Sequence, residues 1–202
     1  MIIYLKLIYF KGVIFMSVLY EIMDFNKSFV QNKEYEPFET TKYPNKKVVI
    51  LSCMDTRLTE LLPKALNLKN GDAKFIKNAG AVITHPFGSI MRSILIAIYE
   101  LKAEEVLVIG HLGCGMSNVD TEKIIQNMLD SGISKETINA LEYAGINFNE
   151  WLHGFGCVND SVKETVKLIK NHPLISSSIS VHGLIMDSQT GKLELVIDGN
   201  KI

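Results

Sequence analysis

The chain has 202 residues, 47% of them apolar, with three cysteines and a formal net charge of -1. That length and apolar content suit one domain with a proper core, and the near-cancelled charge gives nucleic acid or an anionic membrane surface no electrostatic basis as partner. Three widely spaced cysteines make no disulfide framework, so a reducing cytoplasm that keeps thiols free for metal is the expected location.

Residues 1–15 are strongly apolar yet interrupted by Lys6 and Lys11. They are too short and too charged to span a bilayer, and they lack the basic, apolar, small-residue order of a secretory signal. Met16-Ser17 is a cleaner start, with Ser17 as an N-cap. Residues 1–15 are therefore read as a dispensable extension or an upstream misassignment of the start codon, and 16–202 as a single domain. The intact mass from the native host tests this; a mass that includes Met1 refutes it.

Leu19, Ile22, Phe25 and Phe29 recur at helical spacing between Ser17 and Lys33, and residues 34–47, with Pro37 and Pro44, read as an irregular connector. Residues 48–52 form a first β-branched strand. Behind it Leu58, Leu61, Leu62, Ala65 and Leu66 mark a helix in which Pro63 is tolerable only near the first turn. Gly71-Asp72 is a turn, 74–77 a second strand closed by Asn78-Ala79-Gly80, 86–102 a long apolar helix, and 105–110 a third strand. Asp120 and Ser134 can cap helices that reach Leu129 and Gly145. The pattern around Trp151 gives no clear element. Residues 158–171 form a further helix, with Ser161 and Glu164 fitting a capping box for at least part of it and Pro173 as its stop. Residues 178–187 and 193–197 read as a hairpin or pair of late strands. Strands alternating with helices imply right-handed crossovers. The fold class is α/β: a mostly parallel central sheet of four strands with a late additional strand, flanked by helices.

Two strand ends carry the chemistry. The first runs into Cys53-Met54-Asp55-Thr56-Arg57 and the second into His111-Leu112-Gly113-Cys114-Gly115. Ligands gather at the carboxyl ends of parallel strands, where loops converge. Thiolate and imidazole are the donors zinc prefers, and three of them leave a fourth position open for water. Cys53, His111 and Cys114 supply such a set. Alone, His-x-x-Cys is more often incidental, because cysteine commonly serves as a small buried hydrophobe; a second donor on a neighbouring strand end changes the balance. Asp55 and Arg57 alone read as a surface ion pair. Beside a metal the pair has a use: Arg57 keeps Asp55 ionised and accepting, whereas an unpaired Asp55 could swing in as a fourth ligand and close the site. His85 reads as a loop or helix-start residue, His153, His172 and His182 lack ligand partners at useful spacing, and Cys157 reads as a small buried residue.

Cys53-x-Asp55-x-Arg57 followed by His111-x-x-Cys114-Gly115 resembles the β-class carbonic anhydrases. The likeness extends through Asn78-Ala79-Gly80, the helix beginning Val158-Asn-Asp-Ser-Val-Lys with His172-Pro173 behind it, and Gly183-x-x-x-Asp187-x-x-Thr190-Gly191-x-Leu193. The resemblance implies one zinc per subunit, a homodimer or higher homo-oligomer, and reversible hydration of carbon dioxide to bicarbonate and a proton by zinc-bound hydroxide. Lys69 and Ile50 stand where other branches of the family have Gln and Trp. With Met54 and Met116, the chain is similar to the shorter prokaryotic branch, so bicarbonate locking is not expected. Two thiolates cancel the metal's charge, so hydration is expected to rise toward alkaline pH. No residue is identifiable as a proton shuttle. Two alternatives stay open: hydrolysis of carbon disulfide or carbonyl sulfide on the same site, and a non-catalytic zinc or thiol-redox protein.

Overall fold

A computed structural model describes residues 8–10, 13–15 and 17–201. The chain forms two compact units that divide between Thr40 and Thr41. In the first, strands β1 (Ile8–Phe10) and β2 (Val13–Phe15) pair antiparallel, and helix α1 (Val18–Gln31) follows Ser17 at the N-cap. Leu19, Ile22 and Phe25 of α1 are exposed. The start-site reading of residues 1–15 falls mostly outside the described residues.

The second unit runs β3 (Val48–Cys53), α2 (Leu58–Ala65), β4 (Ala73–Asn78), α3 (Ser89–Tyr99), β5 (Glu105–His111), α4 (Thr121–Asp130), α5 (Lys135–Tyr143), α6 (Phe148–Trp151), α7 (Val158–Lys170), β6 (Ser180–Met186) and β7 (Leu193–Ile197). The sheet order is β4-β3-β5-β6-β7. The first four strands of that order are parallel, and β7 returns antiparallel along β6. Four parallel strands plus one late strand is the architecture read from the sequence.

Every residue of β3 is buried, which is why its sequence is an unbroken apolar run rather than an alternation. Val49 and Leu51 face one layer, with Ile94 of α3 and Val162 and Val166 of α7. Ile50 and Cys53 belong to the other, with Leu58 and Leu62 of α2. Helix α7 packs on the strands at two glycines. A Cβ at Gly110 would come within 2.7 Å of the Val158 and Val162 methyls, and one at Gly183 within 2.8 Å of Val162. Glycine is required there for approach.

Three local readings need correction, and one unassigned region gains an element. Pro63 sits inside α2, in its second turn rather than its first; the fully buried Leu58 and Leu62 hold the short helix despite the lost N–H. Helix α3 is shorter than its apolar pattern. Gly88 N–H donates to His85 O at 3.0 Å, closing a turn before the helix, and Lys102 at φ +63 reverses the chain after it. Helix α7 begins at Val158 as read, with Cys157 as N-cap, so the Ser161–Glu164 capping box is not formed and Ser161 lies buried inside the helix. Around Trp151 the chain forms the short α6, capped by Asn147 Oδ1 accepting from Glu150 N–H. Asp120 and Ser134 cap α4 and α5 as expected.

Candidate metal centre

Strands β3 and β5 are parallel neighbours with Ser52 opposite Ile109, so Cys53 and His111 emerge at the same carboxyl edge. Past β5 the chain turns at Gly113, whose φ of +64 favours glycine, and brings Cys114 back toward β3. The Cys53 and Cys114 sulfurs lie 3.8 Å apart. The ligand atoms of Cys53, His111 and Cys114 all fall within 4.8 Å of one another, the one such cluster among the described residues. All three side chains are buried.

The imidazole is oriented. His111 Nδ1 lies 3.0 Å from the Leu112 carbonyl oxygen, which can only accept, so Nδ1 carries the proton and Nε2 presents its lone pair. Nε2 is buried and has no hydrogen-bond partner among the described residues. A buried lone pair without a donor is costly unless something binds it, and here it faces two sulfurs. The donor set, the orphaned nitrogen and the spacing fit zinc. Burial, the largest influence, pushes the Cys114 thiol up to about 11. Metal capture must therefore displace its proton. Gly80 N–H donates to Cys53 Sγ at 3.4 Å, a contact that favours the thiolate once formed.

Asp55 is clamped by its neighbour. Arg57 donates from Nε and from its backbone N–H to Oδ1, both at 2.9 Å, and from Nη2 to Oδ2 at 2.7 Å. Nη2 also donates to Gly113 O at 2.9 Å, tying the first strand end to the second. These bonds, led by the guanidinium, hold the Asp55 carboxyl far below the usual carboxylate range. Oδ2 stands 3.8 Å from His111 Nε2, beside the cluster.

The remaining candidates lie elsewhere. His85 is an exposed turn residue whose Nδ1 accepts from Phe87 N–H at 3.0 Å. His172 is buried and bridges the Pro86 carbonyl and Leu174 N–H. His153 is exposed, and His182 lies at the opposite end of the sheet. Cys157 is exposed, contrary to the expectation of a small buried residue, because the N-cap position of α7 leaves it at the surface. A cavity of about 640 Å³, lined by Thr84, Leu141, Glu150 and Trp151 among others, contains none of the three donors. Met116 and Phe155 instead pack against the Cys53 and Cys114 layer. The Gly80 donor belongs to a tripeptide singled out in the sequence, but Phe155, forty residues downstream of the second strand end, had no local signal.

A family model described as carbonic anhydrase matches residues 48–193. YtiB of Bacillus subtilis (strain 168), which carries a provisional carbonic anhydrase name, is 53% identical over 91% of this chain and 98% of its own. A protein named carbon disulfide hydrolase from Acidithiobacillus thiooxidans is 29% identical over 74% of this chain and 76% of its own. Among solved structures, β-carbonic anhydrase isoform I from Trichomonas vaginalis superposes with a TM-score of 0.82 at 34% identity, covering 91% of this chain and all of that one.

Proposed function

Because the chain belongs to the β-carbonic anhydrase family of carbonate dehydratases, we propose that it catalyses the zinc-dependent, reversible hydration of carbon dioxide to bicarbonate and a proton. The observation that carries this reading is the buried Cys53–His111–Cys114 cluster with an unpartnered imidazole nitrogen beside an arginine-clamped carboxylate. Cys53, His111 and Cys114 would hold one zinc per subunit. Zinc in such a site supplies Lewis acidity that lowers the pKa of water and makes a nucleophile available near neutral to alkaline pH.

The protein's own groups do the rest. Asp55, kept ionised by Arg57, accepts a hydrogen bond from the attacking oxygen without taking its proton, and so aims an oxygen lone pair at the substrate carbon. Arg57, anchored on Gly113 O, keeps that carboxylate from swinging onto the cluster as a fourth ligand and closing it. Met116 and Phe155 offer apolar surface beside the donors, suited to a small apolar substrate. No helix among the described residues is long and apolar enough to cross a membrane; a cytoplasmic homo-oligomer is the proposed context.

Stopped-flow hydration of carbon dioxide across pH, with metal analysis, tests the reading. Zinc near one per chain, its loss in Cys114→Ala, and an Asp55→Ala variant that keeps zinc yet hydrates about a hundredfold more slowly are the expected results. A zinc-loaded protein with no rate above buffer refutes it. A second reading has a specific basis, the relatives named carbon disulfide hydrolase: the same nucleophile could attack carbon disulfide or carbonyl sulfide. Hydrogen sulfide release from carbon disulfide, without carbon dioxide hydration, would favour it. The 3.8 Å sulfur separation also suits a thiol-redox protein, which a zinc content near one per chain would exclude.

A further inference from the structure

The carboxyl-terminal pattern Gly183-x-x-x-Asp187-x-x-Thr190-Gly191 does more than close the β6–β7 hairpin. The Asp187 carboxylate accepts from Gln189 N–H at 2.7 Å and Thr190 N–H at 3.3 Å. Asp187 N–H donates to Lys192 O, and Gly191 N–H donates to Asp187 O, both at 2.9 Å. This Asx-type turn is cross-braced, and it fixes Ser188 against the loop that follows β5. Ser188 is 7% exposed, and its Oγ donates to the Leu112 carbonyl at 3.2 Å. The same oxygen accepts His111 Nδ1–H.

We propose that Ser188 is a positioning residue for the metal ligand His111, acting through the Leu112 carbonyl. The inference rests on the zinc reading of the cluster. Its physical basis is the peptide between Leu112 and Gly113. Leu112 N–H is held by Met186 O at 2.9 Å, and Gly113 O is held by Arg57 Nη2 at 2.9 Å. The carbonyl between them precedes a glycine at φ +64, where rotation of the peptide plane meets little steric resistance. Among the described residues, its partners are Ser188 Oγ and the imidazole it orients. Without the hydroxyl, no described hydrogen bond other than that of His111 reaches the carbonyl oxygen, and the ring's preference for an Nδ1–H tautomer with Nε2 toward the sulfurs weakens. Groups that orient a ligating histidine in this way typically contribute about 10- to 100-fold to metal affinity.

The test uses the zinc-loaded full chain and a chromophoric chelator, with Ser188→Ala, Ser188→Thr and Ser188→Val. Threonine and valine have the same shape, so any packing cost of the added methyl is common to both and only the hydroxyl differs. The alanine and valine variants should release zinc about tenfold faster or more, and the threonine variant at close to the wild-type rate. A second readout is the histidine side-chain nitrogen spectrum of the metal-free proteins. His111 should be a single Nδ1–H tautomer in wild type and threonine variant, and a mixture in the valine variant. Equal zinc release from the threonine and valine variants, with unchanged tautomer, overturns the proposal even if the alanine variant does not fold. A wild type that holds no zinc while retaining the single tautomer would overturn the metal reading instead, so the two failures are distinguishable.

Discussion

Arg57 makes four hydrogen bonds, three to Asp55 and one to Gly113 O, and so couples the ionisation of one side chain to the geometry of two loops. A lysine could replace its charge but not its planar fork. Arg57→Lys is therefore expected to keep zinc and lose most carbon dioxide hydration, on the order of a hundredfold in kcat/KM, since a carboxylate misplaced by about an ångström forfeits alignment. Stopped-flow assays with zinc quantified on the same samples check this; hydration equal to the wild type's would mean that charge alone suffices. Asp187 allows a pH argument read in fold stability rather than in activity. Its carboxyl is lowered below the ordinary range, first by the Gln189 N–H and then by the Thr190 N–H. A depressed carboxylate contributes stability fully above its unfolded pKa of about 3.9 and loses it as pH falls through the lower folded value. Asp187→Ala should accordingly melt below the wild type at pH 7, and the gap should narrow as pH drops below about 4, as thermal scans at stepped pH would reveal.

Among the elements, β3, β5 and α7 set the site's frame. Strands β3 and β5 deliver the donors, and α7 presses on the sheet where Gly110 leaves no side chain, one residue before His111. Gly110→Ala forces a methyl within 2.7 Å of two valines. Overpacking of that kind costs about 1–3 kcal/mol, read as a lower urea midpoint. Because the strain falls beside His111, faster zinc loss should accompany it. Elements were legible in the sequence where one force dominated. The buried parallel strands appear as continuous apolar runs, and α4 and α5 are announced by caps whose side chains accept the expected backbone N–H groups. Misreadings fell where local and tertiary preferences compete. The apolar pattern of α3 runs past the helix, while the turn at His85–Gly88 and the left-handed Lys102 decide its ends. Ser161 resembles a cap by spacing, yet burial against the sheet places it inside α7.

At the scale of the whole molecule, the unit from Thr41 onward contains every residue of the candidate centre. In the other unit, α1 leaves Leu19 59%, Ile22 58% and Phe25 66% exposed. An apolar helical face that open is a candidate contact between copies of the chain. Sedimentation of the full chain should give a dimer or larger species, and Ile22→Glu with Phe25→Glu should shift it to smaller mass; an unaltered mass would place the contact elsewhere. By itself the sequence determined the fold class, the three metal-suited donors and the acid–arginine pair, because each apolar strand run, each donor-bearing strand end and the Asp55–Arg57 pair is written within a few residues. Only the tertiary structure decided which nitrogen of His111 is free, that Arg57 spans both loops, that Cys157 is exposed, and that a serine seventy-seven residues downstream of His111 reaches the carbonyl that orients it. Those contacts depend on the register of β5 against β6 and on directional hydrogen bonds between distant segments, and a single serine in a polar turn carries no mark of what it will face.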